Sequence, residues 1–221
     1  MNLTVKALLR FLVGVAITFL LVFVPAGTVK YFGGWLLMGV LFIPMLFVGI
    51  ALAFKNPSLL EKRLRSKEET KEQKTIVKTS AAIFILGFIS AGISFRFDFL
   101  VLPKNVSLIA SALFLVSYLF YAEVLRENRY ISRVVETSEN QKVVDTGLYA
   151  VIRHPMYCAT VFMFLSVPLI LGSVISLLIF LFYLPLIAKR IKYEEQFLEK
   201  ELSGYSEYKQ KVKYRLIPFV W

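Results

Sequence analysis

Histidine and cysteine are almost missing from this 221-residue chain: each occurs once, as His154 and Cys158. One of each argues against a zinc site of ordinary type, which takes about four such ligands, and no metal ligand is assigned. A lone cysteine also excludes an intrachain disulfide, and Cys158, within an apolar run, reads as a small buried hydrophobe. Acidic residues are scarce too, 15 against 26 Lys+Arg, for a net charge of +11. In a soluble protein that excess points to nucleic acid. Here no basic run is interleaved with aromatics outside the apolar segments, so nucleic-acid binding is not expected. The apolar runs carry no ionisable group near their centres, which argues against a transporter. Their few hydroxyls, Thr18, Ser111, Ser117 and Ser176, are expected to bond their own helix backbone.

What the chain has in abundance is apolar length. It is 57% hydrophobic with 20 Phe and a mean hydropathy of +0.68. The apolar residues gather into runs near the roughly twenty residues needed to cross a hydrocarbon core about 30 Å thick. The fold class expected is all-α: a polytopic transmembrane helical bundle forming one integral membrane domain over 1–221, with N-terminal spans in 1–105. Four spans are predicted, at Leu8–Pro25, Trp35–Phe54 with a kink at Pro44, Thr75–Phe95 and Val106–Leu125. The first follows Lys6 and Arg10 and has signal-like flanks, but a second apolar run comes soon after, so an uncleaved helix is expected. Met156–Ile187 is too long for one crossing and holds Gly172-Ser173 near its middle. It reads as a helical hairpin, Met156–Leu171 out and Val174–Ile191 back. The competing picture is one long tilted helix broken at Pro168.

Charge orients these spans. With the N-terminus in the cytoplasm, 23 of the 26 Lys+Arg fall on the cytoplasmic side and only Lys30, Arg96 and Lys104 fall opposite. The reverse orientation inverts that split, against the positive-inside rule. Both termini and both ends of the final hairpin are therefore expected to face the cytoplasm, with basic flanks against anionic lipid. The Pro57–Lys74 loop mixes Glu61, Glu68, Glu69 and Glu72 with lysines and is expected to form a short interfacial helix. The tail Tyr193–Tyr214 spaces Phe197, Leu198, Leu202, Tyr205, Tyr208 and Val212 mostly by three or four. It is predicted to be an amphipathic cytoplasmic helix, on the membrane or against the site.

The hairpin has a functional consequence. Pro155 to Glu194 spans 39 positions, about 58 Å of helix at a rise of about 1.5 Å per residue. Folded at Gly172-Ser173, each arm is about one bilayer thick, so Glu194-Glu195 returns to the level of Arg153-His154. Arg153 is expected to pair there with a glutamate. Pro155 suits the first turn of a helix, which leaves His154 at a helix N-terminus, where free amides favour an anionic group. Taken singly, these residues have plainer readings. Arg153 and the glutamates resemble interfacial side chains, and Tyr149 and Tyr157 resemble an aromatic belt.

Taken in order, they resemble a family. Asp145-Thr146-Gly147-Leu148-Tyr149-Ala150-Val151-Ile152-Arg153-His154-Pro155-Met156-Tyr157 is similar to the signature of the isoprenylcysteine carboxyl methyltransferase and phospholipid methyltransferase superfamily. So are Glu194-Glu195, Gly204-Tyr205-Ser206-Glu207-Tyr208 and Tyr214-Arg215-Leu216-Ile217-Pro218. Upstream, Arg126-Glu127-Asn128-Arg129-Tyr130 resembles the segment entering the same region in prokaryotic members. The resemblance covers roughly residues 110–221, making 106–221 the catalytic region.

The resemblance implies an integral membrane enzyme that transfers a methyl group from S-adenosylmethionine, entering from the cytoplasm, to a lipophilic or small acceptor reached from the bilayer. It implies a cofactor pocket lined by Val144, Gly147, Leu148, Tyr149, His154, Pro155 and Tyr157, with Glu194 and Glu195 holding polar parts of the cofactor or ordering Arg153. Arg153 and Asn128 would steer the acceptor's head, and His154 or Glu195 would take a proton from an amine acceptor. A carboxylate or thiolate acceptor needs no base, and the acceptor stays open among the three. The short N-terminal half is closer to prokaryotic members, which implies a prokaryotic plasma (inner) membrane. No glycine-rich loop is present, which excludes a soluble Rossmann-type methyltransferase. The alternatives are an NADPH-dependent membrane reductase related to sterol reductases, which are much larger, and a non-enzymatic membrane protein. The sequence sets no oligomeric state.

Overall fold

Apolar run length fixes the helices. A computed structural model of the chain describes residues 3–64, 70–132, 134–137 and 140–221. The four expected spans are α1 (Leu3–Ala26), α2 (Phe32–Lys55), α4 (Lys71–Arg96) and α5 (Lys104–Glu127). Each extends a few residues beyond its apolar stretch, because a helix stops at a cap and not where hydrophobicity ends. Thr70 supplies one such cap, its side chain accepting from the Gln73 amide. α2 runs through Pro44 without interruption. Between α2 and α4, α3 (Pro57–Leu64) accounts for the short helix expected in that loop. Glu68 and Glu69, part of the same expectation, lie outside the described residues.

The final apolar stretch is a hairpin. α6 (Pro155–Ile170) runs intact through Pro168, which removes the single broken helix as an alternative, and the chain turns at 171–173. It returns as α7 (Val174–Leu181) and α8 (Tyr183–Glu201), with only Phe182 between them. Pro185 explains that joint: it has no amide to donate back to residue 181. At the turn, the Leu102 amide donates to the Gly172 carbonyl at 2.8 Å and the Val174 amide to the Leu100 carbonyl at 3.2 Å. These bonds tie the hairpin to the α4–α5 connection. Among the described residues, five helical segments are long and apolar enough to cross a membrane, and α6 is a shorter apolar one. Among the described residues there is no named strand, only one isolated bridge between Val101 and Ser173. The protein is a multi-pass membrane helical bundle.

Packing centres on Leu37, Phe114, Ile170 and Phe180, all fully buried. α4 meets α7 at Gly87, where an added Cβ would lie 2.3 Å from the Phe180 ring. Only a residue without a side chain allows that approach. Ser176 crosses the same contact, donating to the Gly87 carbonyl at 2.9 Å. That corrects the expectation for this hydroxyl, whereas Ser111 and Ser117 do bond their own helix at 2.7 and 2.8 Å. The interhelix bond wins at Ser176 because Gly87 brings a foreign carbonyl within reach. On α1 and α2, Leu12, Ile17, Leu20 and Phe47 are more than half exposed, as suits a face turned to lipid.

The C-terminal tail packs against the site, one of its two expected placements, but not as a single helix. Tyr193–Glu201 continues α8, Gly204 adopts a left-handed conformation (φ +83°), and a separate short helix α9 (Tyr205–Lys211) follows. Leu202, Tyr205, Tyr208 and Val212 face inward and pack with Val124 and Tyr149. The apolar spacing was real, but the break at Gly204 folds that face onto the protein.

Candidate active site

α5 ends at Glu127, and its last side chain organises the segment ahead of α6. The Glu127 carboxylate accepts the Leu148 amide at 2.9 Å, holding a single 3-10 turn at Gly147–Ala150. Gly147 has φ +54°, and a Cβ there would fall 1.9 Å from Glu127 Oε1. Position and conformation both therefore demand glycine. Asn128 donates to the Tyr149 hydroxyl at 3.1 Å and accepts the Tyr130 amide at 3.0 Å. The Tyr208 hydroxyl donates to the Tyr149 carbonyl at 2.8 Å. Burial pushes the Tyr149, Tyr205 and Tyr208 phenols well above their ordinary range, which keeps them protonated and able to donate.

Pro155 opens α6 with His154 as its N-cap. His154 and Arg153 donate their amides to the carbonyls of Arg215 and Tyr214, each at 2.9 Å. The pairing expected between the two ends of the hairpin is present. Arg153 Nε donates to Glu195 Oε1 at 2.8 Å, and its Nη1 donates to the carbonyls of Val212 and Lys213 at 2.6 and 2.9 Å. His154 Nε2 lies 3.2 Å from the same carboxylate oxygen. Arg215 donates to Glu195 Oε2 at 3.1 Å. Glu195 is 2% exposed, so its charge is matched by groups buried with it, as a buried carboxylate requires.

Glu194, its neighbour, points elsewhere. It accepts a short hydrogen bond from the Tyr157 hydroxyl, which in turn accepts from Arg190 Nε at 2.9 Å. These three side chains line a cavity that holds about 830 Å³ of empty space, including its mouth. Its apolar walls come from Ile131, Val143, Val144, Leu198 and Leu202. Tyr205 also lines it, and among the described residues the Tyr205 hydroxyl is buried without a hydrogen-bond partner.

Of the residues singled out in the sequence, Asn128, Val144, Tyr149, Arg153, His154, Pro155, Tyr157 and Glu194 line this cavity. Gly147, Leu148 and Glu195 do not: the first two form the turn behind it, and Glu195 faces the arginines. Sequence reasoning gave no role to Arg190, and gave Tyr205 and Tyr208 a place on the apolar face of the tail but none in the cavity. Arg190 stands one turn before Glu194 on α8 and so shares its face, a spacing that was there to read. A second cavity, between α4, α6 and α8, meets the first at Val134, Met156, Tyr157 and Arg190, which line both.

Most of the residues that line the first cavity, from Asn128 to Leu202, lie within a match to a known family. Residues 105–204 match the family described as phospholipid methyltransferase, PEMT. The chain is also similar to the solved structure of the eukaryotic intramembrane Ras methyltransferase ICMT, isoprenylcysteine carboxyl methyltransferase. That likeness has a TM-score of 0.54 and 19% identity, and covers 100% of this chain and 88% of that one. The matched segment is similar to the phospholipid methyltransferases over a little under half of the chain. The structural likeness speaks for the fold, and the matched segment for the methyltransferase class. No curated protein matches the chain.

Proposed function

We propose that the protein is a membrane methyltransferase that uses S-adenosylmethionine, bound in the cavity beside His154, Tyr157 and Glu194, and a lipophilic acceptor reached from the bilayer. The observation that carries this reading is that the segment matching PEMT, 105–204, contributes most of the residues lining that cavity. The lining suits such a cofactor. Glu194 offers an acceptor oxygen to a cationic or hydroxyl group, the unpartnered Tyr205 hydroxyl offers a donor, and Val143, Val144 and Leu198 offer apolar contact. When bound, the cofactor supplies an electrophilic methyl group on a sulfonium. The residues then act by positioning and by excluding water. Arg153 and Glu195 hold the backbone of the His154 turn against the tail, and Tyr157 stands at the boundary between the two cavities. The basic flanks of the helices support an orientation with both termini in the cytoplasm, in a prokaryotic inner membrane.

Calorimetric titration of the detergent-purified protein with S-adenosylmethionine and S-adenosylhomocysteine tests this, beside His154→Ala and Glu194→Gln variants. Binding by the wild type, weakened about tenfold or more in both variants, is expected. Failure of folded protein to bind either compound, with NADPH titrated alongside, would sink the reading.

A further inference from the structure

We propose that the turn at 217–221 is seated in the bilayer surface, on the side where α6 begins, and that an anionic lipid surface thereby steadies the strand that braces Arg153 and His154. The turn is closed by the Trp221 amide, which donates to the Ile217 carbonyl at 3.2 Å, and it lines neither cavity. Its side chains are apolar and turned outward. Ile217, Val220 and Trp221 are exposed, and Phe219 is 87% exposed. Phe219 also has a left-handed backbone, with φ +66°, a conformation that costs a bulky residue energy. Its ring meets that of Tyr214, centroids 5.1 Å apart, and the rest of the residue stays open. A strained backbone that holds an aromatic ring in water is doubly unfavourable. Lipid around the ring removes the second of those costs.

The neighbours of the turn set its depth. Leu216 packs with the cluster that includes Tyr157, Ile187 and Ile191. Ile191 and Ile187 lie one and two turns of α8 inward of Glu195. Along that helix Leu184, Leu186 and Ile187 give way to Lys189, Lys192 and Glu194, the change from apolar to charged that marks the edge of a hydrocarbon core. The turn follows Leu216 directly, so it lies at the level of the lipid headgroups. Lys189, Lys192 and Lys213 are exposed, and the Arg215 guanidinium lies over the Trp221 ring at 5.2 Å. Cations at that level suit lipid phosphates, and apolar side chains beside them suit the acyl boundary just beneath.

The strand entering the turn carries the consequence. The carbonyls of Tyr214 and Arg215 accept the amides of Arg153 and His154, each at 2.9 Å. One end of this strand is tied to the site and the other is held by the membrane surface, so loosening the turn loosens the amides it braces.

The test uses the full chain in lipid nanodiscs of equal parts phosphatidylglycerol and phosphatidylcholine. Trp35 and Trp221 are the two tryptophans, and Trp35→Phe isolates Trp221. Phosphatidylcholine brominated high on one acyl chain should quench Trp221 about twofold more than the lipid brominated near the chain end, as a shallow seat requires, and aqueous iodide should quench it little. If Trp35→Phe does not fold, the difference between the wild type and Trp221→Phe gives the same reading. Hydrogen exchange then reads the brace. Phe219→Ser combined with Val220→Ser should quicken exchange of the Arg153 and His154 amides about tenfold, the scale set by one large apolar side chain, and leave the amides of α4 unchanged. Nanodiscs of phosphatidylcholine alone should quicken the same two amides by a smaller factor, and Lys213→Gln should shrink that lipid dependence. Quenching of Trp221 by iodide and not by brominated lipid would overturn the proposal. So would quenching by neither, which means a protein contact such as a second copy of the chain, or unaltered exchange in the serine variant. Equal exchange in the two lipid mixtures would overturn the role given to anionic lipid. None of these measurements involves a methyl donor, so they stand apart from the activity proposed above.

Discussion

Arg153 Nε lies 2.8 Å from Glu195 Oε1 although 42 positions separate the residues, and both side chains are almost wholly buried. The carboxylate is shared with His154 and Arg215. Removing it strands buried positive charge. Glu195→Ala should therefore lower stability by about 3–5 kcal/mol, and Glu195→Gln, which keeps an acceptor, by less. The thermal unfolding midpoint in detergent reads both. An unchanged midpoint in the alanine variant would show that the cluster anchors nothing.

Tyr205→Phe separates fold from ligand. Its hydroxyl is buried and has no partner among the described residues, so its removal should leave the unfolding midpoint unchanged or slightly raised. The same change should weaken S-adenosylmethionine binding, because a hydrogen bond worth about 0.5–1.5 kcal/mol is lost, roughly a two- to tenfold effect. Calorimetry on the two proteins decides it. A lower midpoint with unchanged affinity would mean that the hydroxyl serves the fold.

Gly147→Ala should loosen the segment that precedes His154. The left-handed backbone alone costs about 1–2 kcal/mol with a Cβ present, and here the Cβ would also displace the Glu127 carboxylate from the Leu148 amide. Hydrogen exchange at the amides of Leu148 and Tyr149 should quicken markedly. Exchange as slow as in the wild type would contradict the role given to Glu127.

Gly87→Ala should force α4 and α7 apart against Phe180, at a cost of about 1–3 kcal/mol for overpacking. Adding Phe180→Leu to the same protein should recover part of that loss, and unfolding midpoints of both single variants and the double variant give the coupling. Additive effects would place the strain elsewhere.

The hairpin was legible because Met156–Ile187 is too long for one crossing and Gly172-Ser173 is the only ready turn. The meeting of Arg153 with a glutamate followed from the length of the arms alone. Which glutamate faces which partner did not follow. Glu194 and Glu195 are adjacent on a helix and so point about 100° apart, and only packing against the tail assigns Glu195 to Arg153 and Glu194 to Tyr157. The tail was expected on the membrane or against the site and lies against the site, but its break was missed for a related reason. Periodicity fixes which residues are buried, but the left-handed break at Gly204 decides what they are buried against.

The bonds from Arg153 to the carbonyls of Val212 and Lys213 close loops of about sixty residues, which sets a timetable for the newborn protein. The tail carbonyls that brace the hairpin are made after it, so the hairpin exists for a time without its brace. A chain halted after α8 would hold the candidate spans found among the described residues and an unbraced His154. The brace on His154 thus forms only once residues 212–213 have been made, later than the hairpin it holds.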